Sequence, residues 1–164
     1  MKKIAIIAPL VWLGWLVLID WVPMFPLNDL DVISVEDRAI AAAANYPVPL
    51  LIAGAVALGR RWSHIAAVAL SALCVVGHVN SWWIPYFGSA TAAARADYLE
   101  YYSHTLRFLP TAGHDVVIDV QHTVVGLLTL AMLAATGIVT MRSWPRHRNA
   151  DLPAAAVAAV AQPR

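Results

Sequence analysis

Three side chains able to bind a metal or exchange a proton, Asp20, His78 and His122, stand inside otherwise apolar stretches of this 164-residue chain. An ionisable group in hydrocarbon is costly unless it is paired or hydrated, so each is a candidate for function. Two imidazoles and a carboxylate suit a Zn, Cu or Fe ion, and two imidazoles from different helices suit a haem b. Asp115, Asp119 and His122 are spaced i, i+4, i+7, which predicts one helical face. An acid-x-x-His pair is also how helix bundles present ligands to di-metal centres, although this chain has a single copy. The plainer reading makes Asp115 and Asp119 helix N-terminal acids stabilised by the dipole. Around His78, Cys74 lies one turn below and Trp82 one turn above, with Asn80 nearby. Cys74 is a soft second ligand or, more commonly, an apolar packing residue. Asn80, Trp82 and Asp115 are candidates for the layer that orients the ligands. His104, from an outer loop, is a candidate third ligand. Without a metal, His78 and His122 could bond each other or Asp20 and hold helices together. Intramembrane acids such as Asp20 also mark proton or solute paths.

These residues can meet only if apolar helices carry them to one height. The composition, 60% hydrophobic and 13% charged, is that of a membrane protein; soluble domains carry about 25% charged residues. Four transmembrane segments are expected, at about 4–22, 39–59, 63–84 and 119–140, with outer loops 23–38 and 85–118. At 1.5 Å per residue, Asp20 and His78 rise roughly 24 Å from the opposite membrane boundary and His122 roughly 28 Å, within about one turn of each other. Segment two contains Pro47 and Pro49, so it is either one kinked helix or two, with 35–44 separate. Ser34-Val35-Glu36-Asp37 reads as a capping box that starts a helix near Val35. Residues 91–108 read as an amphipathic surface helix, with Tyr98, Tyr101, Tyr102, Thr105 and Phe108 on one side and Asp97, Glu100 and His104 on another. The expected fold is all-α: a four-helix membrane domain over 1–148 with one or two interfacial helices on the outer face, and a disordered cytoplasmic tail over 149–164.

Charge distribution orients the chain. Lys2, Lys3, Arg60, Arg61, Arg142, Arg146 and Arg148 flank one side of the segments, and only Arg38, Arg95 and Arg107 the other. The positive-inside rule then predicts both termini in the cytoplasm, in a plasma (inner) membrane. Every acidic residue except Asp151 falls at or beyond the outer boundary. A net charge of +1 gives no field for nucleic acid, and the single Cys74 excludes an internal disulfide and a CxxC redox pair. No phosphate loop, hydrolase triad order, HExxH or zinc-ribbon spacing occurs. The functional expectation is a metal- or haem-binding, redox-active membrane protein. The alternatives are a non-catalytic subunit that works with membrane-protein partners or as a homo-oligomer, and a small transporter.

Overall fold

The structure, a computed structural model, describes residues 1–150, so the tail expected from 149 onward lies outside them apart from its first two positions. Among these residues all regular structure is helical, with no strand. The elements are α1 (Lys2–Trp21), α2 (Val35–Asn45), α3 (Pro47–Leu58), α4 (Arg61–His78), a π-helical turn (Val79–Trp83), α5 (Ile84–Phe87), α6 (Ala92–Asp97), a second π-helical turn (Tyr98–Tyr102) and α7 (Val120–Ala150).

Four stretches are long and apolar enough to cross a membrane: Lys2–Trp21, Val35–Leu58, Arg61–Phe87 and Val120–Ser143. Their outward faces are lined with Leu10, Leu51, Leu73, Leu127 and Leu130, all exposed. In water such faces would be a large unburied apolar surface; in lipid they are in their own solvent. Helix α1 packs on α3 and α7, and α4 packs on the same two. Trp12, Leu16, Ile52, Val56 and Met132 meet in the core. Polar side chains tie the helices at depth: the Thr136 hydroxyl is 3.3 Å from Ser71 Oγ, and Trp15 Nε1 donates to the Gln121 carbonyl at 3.4 Å. Contacts of this kind are worth about 0.6 kcal/mol on average within a membrane.

Segment two divides at Tyr46 into α2 and α3. Ser34 caps α2, its Oγ accepting the Asp37 amide at 3.0 Å. The backbone of Tyr46 stays helical (φ −66°, ψ −33°) between them. Pro47 and Pro49 lack the amides that would have bonded the preceding turn, which is why the helix is interrupted there.

The connection leading to α7 is shorter in helix than the sequence suggests. Its α-helix ends at Asp97, the π turn carries the chain to Tyr102, and 105–109 then pair with the strand-like run before α7. Phe108 N donates to the Ile118 carbonyl at 3.0 Å, and Val120 N to the Leu106 carbonyl at 2.8 Å. Leu106 N also donates to the Pro26 carbonyl at 2.7 Å, which anchors this loop to the one after α1. That first loop is held by Asn28, whose amide donates to the Ile19 and Val22 carbonyls, both at 2.8 Å, closing the C-terminus of α1.

Candidate functional site

The site is assembled where α7 begins. Helix α7 starts at Val120, so Asp119 precedes it and caps it: Asp119 Oδ1 accepts the His122 amide at 2.8 Å. The same oxygen accepts from His122 Nδ1 at 2.8 Å, and Oδ2 accepts the Thr105 hydroxyl at 2.8 Å. Asp119 is 1% exposed, so its charge has no water to lean on and these three donors carry it. A carboxylate only accepts, so the proton of neutral His122 sits on Nδ1 and the Nε2 lone pair is free. Among the described residues nothing hydrogen-bonds that Nε2.

Two aromatic walls fix the imidazole. Trp82 stacks on it, ring centroids 3.7 Å apart at 27°, and Tyr102 meets it edge-on at 4.9 Å and 89°. Trp82 and Tyr102 also contact each other, at 5.2 Å. Each wall comes from one of the two π turns, Val79–Trp83 and Tyr98–Tyr102. A π turn shifts the side-chain register by a residue and occurs often at functional sites. Burial, with the Asp119 charge next in importance, pushes the Tyr102 phenol up to about 12.

Asp20 and His78 complete the group. Asp20 Oδ2 accepts the Tyr46 hydroxyl at 2.9 Å, and Arg38 donates to the Asp20 carbonyl at 3.3 Å. The Asp20 carboxylate and His122 are within electrostatic reach of each other, as are His78 and His122.

No family model, curated protein or solved structure matches this chain. The geometry alone carries the functional reading.

That geometry gives the metal expectation no support. Among the described residues no three His, Cys, Asp or Glu side chains are grouped to hold an ion. Asp119 is committed to its three donors. His78 packs Nε2 beside Gly126, where an added Cβ would lie 2.5 Å from that nitrogen. His104 is exposed beside Ser103, 3.5 Å from its hydroxyl, and does not fold over the site. Asp115 lies before the helix and pairs with Arg95 at 3.3 Å, so the three-residue face does not form. Cys74 packs against the apolar core, and Asn80 is exposed. Of the expected orienting residues, Trp82 stacks on His122. Thr105, Tyr46 and Tyr102 were not foreseen as partners; an acid three residues before a histidine pointed to Asp119, but nothing in the sequence marks a threonine 14 positions away.

Proposed function

We propose that this chain is a polytopic membrane protein whose outer end holds an acid–base site, with His122 Nε2 as the group that accepts a proton. In this reading the four apolar stretches form one transmembrane bundle in a plasma (inner) membrane, with both termini cytoplasmic and the α6 region on the outer surface. Residues 1–148 make up its single domain. The observation that carries the proposal is the His122 ring: Nδ1 held by buried Asp119, one face stacked on Trp82 with Tyr102 meeting it edge-on, and Nε2 unspent. A histidine so fixed in tautomer and orientation is the arrangement used wherever imidazole takes up a proton. The imidazolium that forms is stabilised by the Asp119 charge and by the face of Trp82. Asp20 with Tyr46, within electrostatic reach, supplies a second proton-exchanging group on α1.

Nitrogen-15 NMR of histidine-labelled protein in bilayers tests this. His122 is expected as the Nδ1–H tautomer, with that signature altered in Asp119→Asn. An Nε2–H tautomer that ignores Asp119→Asn would overturn the reading. Metal analysis and the visible spectrum distinguish the metal-centred version: a stoichiometric transition metal or Soret band lost in His122→Ala would put that version in its place.

A further inference from the structure

A second feature lies on the lipid side of His78. A groove of about 320 Å³ runs between α4 and α7, lined by His78, Trp83, Phe108, Thr123, Leu127 and Leu130 among others. Leu127 and Leu130 are 62% and 52% exposed and lie within the apolar span of α7, so the mouth of the groove opens into hydrocarbon. Whatever fills it arrives through the membrane.

The wall is apolar but for a few groups, and most of these are spent. The Thr123 hydroxyl donates to the Asp119 carbonyl at 2.8 Å and the Thr129 hydroxyl to the Gly126 carbonyl at 2.9 Å. His78 differs. Its Nε2 is buried without a hydrogen-bond partner. A buried ring nitrogen left without a partner is costly in an apolar surrounding. Gly126, which also lines the groove, stands beside Nε2: a Cβ there would lie 2.5 Å from it. A partner for the ring therefore has to come through the groove.

We propose that this groove binds a lipid-soluble quinone, its carbonyl hydrogen-bonded to His78. Four features select that chemistry. The opening is to hydrocarbon, which excludes water-borne ligands. Trp83 and Phe108 supply flat walls for a planar ring. No Lys or Arg lines the groove, so a phospholipid phosphate finds no counter-charge. The volume holds a substituted ring and the start of its tail, at the low end of small-molecule sites. The proposal rests on the membrane reading but not on proton uptake at His122.

Photolabelling of the full-length protein in nanodiscs with an azido-benzoquinone carrying a ten-carbon tail tests it. Label is expected in peptides covering 75–83 and 123–130, with protection by unlabelled decyl-benzoquinone. His78→Leu should weaken protection about tenfold, the value of one hydrogen bond. His78→Asn, which keeps a polar hydrogen-bonding group, should recover most of it, and this separates ligation from misfolding. Labelling that matches an alkyl azide without the quinone ring, or that is unchanged in His78→Leu, overturns the proposal. Loss of quinone binding would leave the nitrogen-15 signature of His122 intact, so the two readings fail separately.

Discussion

Asp119 uses one oxygen to cap a helix and to orient an imidazole, and the other to hold Thr105. Its replacement therefore has two separable effects. Asp119→Ala removes the cap and leaves the His122 amide and Nδ1–H without their acceptor, while the Thr105 hydroxyl keeps the Tyr102 carbonyl at 2.8 Å. A loss of about 2 to 4 kcal/mol is expected, measured by denaturant unfolding in detergent. Asp119→Asn keeps an acceptor for the His122 amide and should cost less, while still releasing the Nδ1 tautomer. Tyr102 supplies a pH prediction. Burial raises its folded pKa to about 12 from an ordinary 10.0, so the folded state keeps a proton that the unfolded state has lost. Its contribution to stability is complete below pH 10 and disappears as pH climbs from 10 to 12. Tyr102→Phe should flatten the stability profile over that window, as read from thermal midpoints. An unchanged slope would mean the phenol is far better solvated than its packing on His122 and Trp82 implies.

The helices place these residues, and here the sequence was legible to different depths. Ser34 marked the start of α2, and Pro47 with Pro49 marked the break at Tyr46 between α2 and α3. Rotation about each helix axis was not legible, because it depends on the neighbouring helix: His78 turned toward Gly126 and the groove instead of toward a shared centre with His122. The π turns were equally hidden, since no residue pattern announces a one-residue register shift, yet they decide that Trp82 and Tyr102 wall the His122 ring. The start expected for segment four, about 119, agrees with α7 at Val120, but Asp115 lies outside that helix, where Val116, Val117 and Ile118 are buried with Tyr86 and Tyr98. The approach of α4 to α7 at Gly126 can be tested directly. Gly126→Ala places a methyl against His78 Nε2 and should destabilise by about 1 to 3 kcal/mol. Adding His78→Ala should restore most of that, a coupling expected only of residues in contact.

At the scale of the whole molecule, polarity along the membrane normal organises everything else. Lys2 Nζ donates to the Ala57 carbonyl at 3.0 Å, and His64 Nδ1 meets Ser143 Oγ at 2.8 Å, so the start of α1, the α3–α4 turn and the end of the apolar part of α7 share one end. Lys2, Arg60, Arg61 and Arg142 cluster there. At the opposite end lie Asp20, Asp119, the acidic loops and the His122 site. If the basic end faces the cytoplasm, His122 is served with protons from the outer compartment, and its protonation should follow external rather than internal pH. The orientation is open to labelling in cells. In a Cys74→Ala background, Ser89→Cys stands in the outer connection and Asn149→Cys follows the basic cluster after Ser143. A membrane-impermeant maleimide is expected to label Ser89→Cys in intact cells and Asn149→Cys only after permeabilisation. The opposite pattern would invert the molecule and turn the acid–base site toward the cytoplasm. Equal labelling of both before permeabilisation would mean an odd number of crossings, which would take one of the four apolar stretches out of the membrane.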